Sequence, residues 1–316
     1  MKKFLIFMLL FISITLAKDL KPSKVFESNG SVISLLYNDG KLYAGTDQGS
    51  VDIFDTNSTK LIDKIKLPEM LDFMGDKSLR KIYSIDYLDG TLLFATEASK
   101  GYRSVYLYKD KNLTQIISEK DKLLVQRIAF IDKNKILIAL LGNELILYNL
   151  STKTKLYSKR VNQSKFSDFA LNKDKTKVVI ANESGDIPLL DVTNGKILKV
   201  FKGENLDNVF QVDYKNGIII GAGQDRKCSI YSEDEMKKYA MDGSFLIYSV
   251  GLSPDGTIGA FAINEDNEIS IFNTQTKSEI YRLKGHQTTL TNIVFVNNHE
   301  LYSSSEDKNI LYWNLK

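Results

Sequence analysis

Histidine and cysteine, two residue types that often serve in catalysis and metal binding, are scarce in this sequence. It contains two histidines, His286 and His299, and one cysteine, Cys228. A zinc-type site on both histidines would need them side by side, yet His286 follows a glycine and His299 lies in a polar turn, so we expect them on different faces of the same repeat unit. Cys228 falls in a strand-like stretch, so we interpret it as a small buried hydrophobe rather than a reactive thiol. We therefore expect no catalytic residue, no bound cofactor and no metal site.

The overall charge gives no sign of a nucleic-acid partner. The chain has 42 basic and 39 acidic residues, and Lys2 and Lys3 belong to a basic leader, so the remainder is nearly neutral. No Lys/Arg-rich stripe stands out, which argues against binding to nucleic acid or to an anionic membrane.

The N-terminus has the layout of a secretory signal peptide. Lys2 and Lys3 precede an apolar run at residues 4–14, and Thr15 and Ala17 are small residues suited to a cleavage site after position 17. We expect residues 1–17 to be removed and the protein to be released into the periplasm, not embedded in a membrane. An uncleaved anchor is the alternative.

The clearest feature of the remainder is a repeat. An apolar pair followed by a polar residue recurs seven times, with spacings of 54 and then 40 to 42 residues between the second members of successive pairs. A period in the low forties with four short strands per unit is typical of β-propellers. We predict an all-β, seven-bladed β-propeller that spans residues 18–316 as one domain. The second members of the pairs are Phe54, Tyr108, Tyr148, Leu190, Tyr231, Phe272 and Trp313.

The last repeat opens with Gly285-His286, and its third strand ends with Trp313-Asn314; the other six repeats lack both His and Trp. With these residues the last repeat resembles the WD40 family. The resemblance implies a hydrogen-bond relay that ties the strands of the blade together, because a buried Trp N–H needs a partner. The residues of this relay are His286, Ser303, Ser305, Asp307 and Trp313.

The seventh unit contains only three strands in the sequence. Residues 23–28 form a strand-like stretch with no unit of their own. We expect this stretch to complete the last blade and close the ring, which would also remove an exposed sheet edge.

The longest departure from the period is an insert at residues 66–80. Pro68, Glu69 and Gly75 are placed as at the start and end of a helix, and the apolar residues follow a helical spacing, so we predict a short helix. Two interpretations stay open: a helix packed onto the ring, or a helix that docks a partner. Its candidate docking residues are Met70, Leu71, Phe73 and Met74.

The resemblance also implies a docking face. WD40 rings bind partners on the narrow face, so we expect contacts from residues just before the first strand of each blade. These candidates are Arg80, Gln126, Lys165, Asn208, Phe245 and Thr288.

Repeat architecture alone indicates a scaffold rather than a reaction. The leader, the single WD40-type ring and its closure together resemble the WD40-type accessory proteins of periplasmic nitrate reductase systems (the NapL type). That resemblance implies a role in maturation of the reductase or in electron delivery, with a protein partner and no cofactor. The alternatives are a scaffold for outer-membrane protein assembly and a propeller enzyme of the lactonase or quinoprotein type.

Six Asn-x-Ser/Thr sequences are candidate glycosylation sites. At Asn29, Asn57 and Asn112 an acidic residue stands two positions earlier, which resembles the extended acceptor of bacterial N-glycosylation systems. The other three, Asn149, Asn162 and Asn182, lack that acid.

Overall fold

The chain folds into seven β-sheets arranged as the blades of a β-propeller. The computed structural model describes residues 17–72 and 74–316. The leader expected at residues 1–17 therefore lies outside the described residues except for Ala17. Within the described ranges no α-helix is present, and no helix is long and apolar enough to cross a membrane.

Blades 1 to 5 are each formed by four consecutive strands, within residues 32–66, 82–117, 125–160, 166–201 and 209–242; blade 6 contains the four strands within residues 250–283, and blade 7 contains the three within residues 290–314. Two short 3-10 turns lie at Ser99–Gly101 and Glu119–Asp121. The strands are β1 (Lys18–Leu20), β2 (Lys24–Glu27), β3 (Val32–Asn38), β4 (Lys41–Thr46), β5 (Ser50–Asp55), β6 (Leu61–Lys66), β7 (Met70–Leu71), β8 (Lys77–Ser78), β9 (Ile82–Leu88), β10 (Thr91–Glu97), β11 (Arg103–Lys109), β12 (Asn112–Ile117), β13 (Val125–Asp132), β14 (Lys135–Leu140), β15 (Glu144–Asn149), β16 (Thr154–Arg160), β17 (Phe166–Leu171), β18 (Lys177–Asn182), β19 (Ile187–Asp191), β20 (Ile197–Phe201), β21 (Val209–Lys215), β22 (Ile218–Gly223), β23 (Lys227–Ser232), β24 (Lys238–Asp242), β25 (Val250–Leu252), β26 (Ile258–Ala262), β27 (Ile269–Asn273), β28 (Glu279–Leu283), β29 (Leu290–Asn297), β30 (Glu300–Ser305) and β31 (Asn309–Asn314).

Local sequence explains why each blade is a meander of antiparallel strands. The second strands are apolar along most of their length, as in β14, because each blade is covered on both faces by its neighbours. Asx-Gly pairs at Asp39-Gly40 and Asn216-Gly217 join first and second strands, and all four residues have positive φ. Paired left-handed residues give the tight hairpin turn whose twist matches the strands.

The hydrophobic core is divided among the seven blade interfaces. Each buried apolar cluster draws residues from two adjacent blades, and one of them joins blade 7 to blade 1. That last cluster contains Phe26 of β2, whose ring lies 5.8 Å from Phe54 and 5.7 Å from Tyr302. The ring is therefore closed by the same kind of apolar packing that joins its other blades.

The expected closing strand is confirmed. β2 pairs antiparallel with β31 and becomes the outer strand of blade 7. A second closing element was not expected from the sequence: β1 pairs in parallel with β28 as a fifth strand of blade 6. The Lys284 ammonium, directly after β28, lies 2.8 Å from the carboxylate of Asp19 in β1 and forms an ion pair between the two strands. The N-terminal segment thus lies along the outer edges of two consecutive blades.

The helix predicted within residues 66–80 is wrong, because β7 and β8 form a small hairpin there. The Asp72 carboxylate accepts hydrogen bonds from the backbone N–H groups of Met74 (2.8 Å) and Asp76 (2.9 Å), and Gly75 has a φ of 89°. An aspartate that binds nearby N–H groups competes with a helix, and an isolated helix this short is marginal. Met70 is buried, whereas Leu71 and Met74 are exposed.

Candidate functional site

The strand nearest the ring axis in each blade begins on one face of the ring, which we call the start face. In six blades a β-bulge follows the first residue of this innermost strand, so that its second residue has no partner in the ladder. A bulge re-aims the side chain of its extra residue. These residues are partly exposed and surround the mouth of the central channel on the start face. They are Ile33, Tyr83, Gln126, Ser167, Phe210 and Thr291.

Aromatic residues are concentrated at blades 5 and 6 of this mouth. Phe210 stacks on Tyr248, with ring centroids 5.0 Å apart, and Phe245 lies 6.5 Å from Tyr248. Phe245 is 38% exposed, and Leu206 in the preceding loop is 79% exposed. Partly exposed aromatic rings with few rotatable bonds are the residue type that most often anchors a protein partner.

Hydrogen bonds join the loops around these rings into one surface. The Asp225 carboxylate accepts from the Leu206 backbone N–H at 2.8 Å. The Ile247 N–H donates to the Gly223 carbonyl, and the Ser244 N–H donates to the Ile263 carbonyl. Residues 203–208, 223–226, 243–248 and 263–268, together with Phe210, form what we call the blade 5–6 arc.

The arc carries more acidic than basic groups among its unpaired charges. Asp207, Glu265 and Asp266 are exposed and form no ion pair among residues 17–72 and 74–316, and Arg226 is the exposed base beside them. Acidic side chains beside aromatic rings suit a surface with apolar and basic side chains, because both acids and ring faces attract cations.

The candidate docking residues lie on the start face, but some of them form contacts within the ring and others are exposed to solvent. Arg80 donates from its guanidinium to the Pro68 carbonyl at 2.9 Å and to the Glu97 carbonyl at 3.0 Å, which braces the insert against blade 2. Lys165 is exposed and forms a long ion pair with Glu183, at 3.9 Å.

The remaining candidates also differ in their hydrogen bonds and in their exposure. Asn208 accepts a hydrogen bond from Ser167 at 2.9 Å, and the buried hydroxyl of Thr288 has no hydrogen-bond partner within the described residues. Gln126 is a bulge residue at the mouth, and Phe245 belongs to the aromatic arc. Of the insert candidates, Leu71 and Met74 are exposed and Met70 is buried; Phe73 lies outside the described residues.

Sequence reasoning missed Phe210, Tyr248 and Tyr83, which come two or three residues after the candidates. A usable signal was present for Phe210 and Tyr83, because each follows a buried branched residue at the start of an innermost strand, whereas Tyr248 lies in the loop before β25. Two consecutive apolar residues break the alternation of a strand and are typical of a bulge.

The polar groups of the last blade form a compact network around Trp313. The indole N–H donates to the Ser303 hydroxyl at 2.8 Å, and the same hydroxyl lies 2.6 Å from His286 Nε2. His286 Nδ1 lies 3.0 Å from the Ser305 hydroxyl, while Asp307 accepts from the backbone N–H of Asn309. Asp307 influences His286 only through its charge, and burial lowers the pKa of His286 to about 4 despite that charge.

The central channel encloses a cavity of about 1030 Å³ that reaches the face opposite the start face. Arg127 Nε lies 2.9 Å from Asp168, whose other oxygen accepts from the Val212 backbone N–H at 3.2 Å. Burial raises the pKa of Asp168 to about 6, although Arg127 opposes that rise. Asp86 accepts from the Phe130 N–H at 2.6 Å in the same manner. These carboxylates satisfy N–H groups on the inner edge of the next blade and so link neighbouring blades.

Within residues 17–72 and 74–316, no group of three His, Cys, Asp or Glu side chains is arranged to hold a metal ion. Cys228 is fully buried, and burial raises the pKa of its thiol.

Comparison with known proteins identifies the fold and nothing finer. No family model matches this chain, and no curated protein matches it. Among solved structures, the crystal structure of the computationally designed Ika8 protein is similar, with a TM-score of 0.67 and 15% sequence identity over 94% of this chain and 100% of that chain. At that identity the likeness concerns the arrangement of strands, and the chain is a seven-bladed β-propeller.

Proposed function

We propose that this chain is a non-catalytic periplasmic scaffold that binds a protein partner through the blade 5–6 arc. The observation that carries the proposal is the cluster of the aromatic rings of Phe210, Tyr248 and Phe245 on the start face, beside the exposed Leu206. Exposed apolar groups gathered on one surface are typical of a protein interaction site. The loops beneath them are joined by hydrogen bonds, so little ordering is needed on binding.

The chemistry of the arc narrows the kind of partner. Apolar side chains would pack on the rings, and Lys or Arg side chains would pair with Asp207, Glu265 and Asp266. We therefore propose a protein segment that presents apolar and basic side chains together. A nucleic acid would bring phosphates to a surface with an excess of unpaired acids, which disfavours it.

For the identity of the partner we propose a component of a periplasmic nitrate reductase system, which the chain would assist in maturation or electron delivery. The support is the resemblance given above: a leader of the secretory type, one WD40-type ring and closure by an N-terminal strand.

The test is capture of the partner with the full-length tagged chain from the periplasm of its source organism. We expect a nitrate reductase component to be retained, and a double substitution Leu206→Ala and Phe245→Ala to weaken binding about 30-fold or more, as loss of about 2 kcal/mol at an anchor would. Met236→Ala is the matched control, because Met236 is 82% exposed in the turn before β24 on the opposite face of blade 5.

Three outcomes would contradict the proposal. Equal loss with Met236→Ala would remove the arc as the docking surface. Retention of barrel-assembly components instead would favour the outer-membrane alternative. Bound calcium or a quinone absorbance in the purified chain would favour the enzyme alternative.

A further inference from the structure

Three of the six Asn-x-Ser/Thr sequences differ from the rest in their surroundings. Asn29, Asn57 and Asn112 are all exposed, and each lies in or beside a turn between strands. The carboxamides of Asn29 and Asn57 make no hydrogen bond within the described residues, and Asn112 donates only to the carbonyl of Asp110 in its own turn, at 3.2 Å. These are the same three sequences that carry an acidic residue two positions earlier.

The other three asparagines use their side chains to hold the fold. Asn182 is 0% exposed, and its carboxamide donates to the Asp186 carbonyl at 3.0 Å. The Asn162 oxygen accepts from the Asn143 carboxamide, at 2.6 Å. Asn149 accepts from two backbone N–H groups of its own turn. A glycan on Asn182 has no room in the folded ring, and a glycan on the other two would remove these hydrogen bonds.

We infer that Asn29, Asn57 and Asn112 are acceptors for N-linked glycosylation by a periplasmic oligosaccharyltransferase that requires an acid at position −2. The inference rests on the export that the proposed function includes. In the reaction the carboxamide nitrogen bonds to the anomeric carbon of a polyprenyl-pyrophosphate-linked glycan. The bond from that carbon to the pyrophosphate oxygen breaks, the pyrophosphate leaves with the electron pair, and one amide proton passes to a base of the transferase.

The positions of the acceptors are compatible with partner binding. Asn57 and Asn112 occupy equivalent turns between the third and fourth strands of blades 1 and 2, on the face opposite the start face. Asn29 lies on the start face between blades 7 and 1, where its backbone N–H donates to Asp52 at 2.7 Å. Glycans at these sites would leave the blade 5–6 arc uncovered.

The test is the intact mass of the full-length chain from cells that supply the lipid-linked glycan, with and without an active transferase. With the active transferase we expect mass increments of one to three glycans. Asn29→Gln, Asn57→Gln and Asn112→Gln together should abolish them, whereas Asn149→Gln with Asn162→Gln should leave them unchanged. Asp55→Asn should remove the increment at Asn57 alone.

Three results would overturn the inference, and they are distinguishable. A cleaved, exported chain that stays unmodified while a known acceptor in the same cells is modified would overturn glycosylation and leave the scaffold proposal intact. A chain that keeps its leader and stays in the cytoplasm would overturn both. Increments that persist in the triple variant would place the glycans elsewhere.

Discussion

Replacement of Phe26 by alanine should destabilise the whole ring, although Phe26 belongs to a strand of only four residues. Its side chain is 1% exposed and contacts Phe54 and Tyr302 in edge-to-face geometry between blades 7 and 1. Truncation of a buried phenylalanine costs about 3–5 kcal/mol from lost burial and the cavity left behind. We expect a loss of about 4 kcal/mol in the free energy of unfolding.

The measurement is equilibrium unfolding in urea, followed by tryptophan fluorescence, since Trp313 lies in the strand paired with β2. Val25→Ala is the matched control, because its side chain is 52% exposed on the same strand and should change stability by less than about 0.5 kcal/mol. If the alanine variant does not fold, Phe26→Leu can be measured instead, and its loss in the free energy of unfolding should be smaller than that expected for Phe26→Ala. Equal effects of Phe26→Ala and Val25→Ala would refute closure of the ring by β2.

Two further predictions concern burial. Burial lowers the pKa of His286 to about 4 from 6.5, so as the pH falls His286 is protonated in the unfolded chain before it is protonated in the folded chain. The free energy of unfolding should therefore fall by up to about 3 kcal/mol as the pH falls from about 6.5 to 4. The raised pKa of Asp168 has the opposite effect on stability as the pH falls, so the contribution of His286 must be measured as a difference. The measurement compares the unfolding free energy of the native chain with that of His286→Gln at several pH values, with His299→Gln as control. A difference that does not change with pH would contradict the prediction for His286. Gly45→Ala should cost about 1–3 kcal/mol, because its Cβ would lie 2.7 Å from a side chain of β9 in the next blade, whereas Gly142→Ala meets nothing within 4 Å; equal melting temperatures would contradict it.

The fold could be predicted from the sequence because its strongest signal is a period. Each blade needs the same apolar strands and the same turns, so the pattern recurs and does not depend on any long-range contact. Closure by β2 could also be predicted, since a strand without a sheet and a sheet without its outer strand are both visible. β1 could not, because Lys18, Asp19 and Leu20 carry no pattern and pair only once the edge of blade 6 exists.

The insert shows where local patterns mislead. Its helical spacing and its Pro and Gly signals were real, but the Asp72 carboxylate binds two backbone N–H groups and stabilises a turn instead. Leu71 and Met74 remain exposed, so no buried stripe supports a helix. Propensity summed over so few residues is a weak determinant beside one well-placed side-chain hydrogen bond.

The docking candidates named from the sequence lie on the start face, but only Asn208 and Phe245 belong to the blade 5–6 arc. The start of each innermost strand could be located from the repeat, and Phe245 and Gln126 were named there. The position of Phe210 depends on the bulge at the start of β21, which shifts the ladder by one residue and exchanges the two faces of the strand. Tyr248 lies in the loop before β25, where the repeat gives no strand pattern, so its stacking on Phe210 had to be located from the structure.

Amide hydrogen exchange would show whether a protein partner binds the blade 5–6 arc, as we propose. The chain would be measured alone and with the captured partner. We expect slower exchange at residues 203–211 and 243–249 when the partner is bound, with no change in the turn at residues 233–237 on the opposite face. Protection of that turn while the arc exchanges as in the free chain would contradict it.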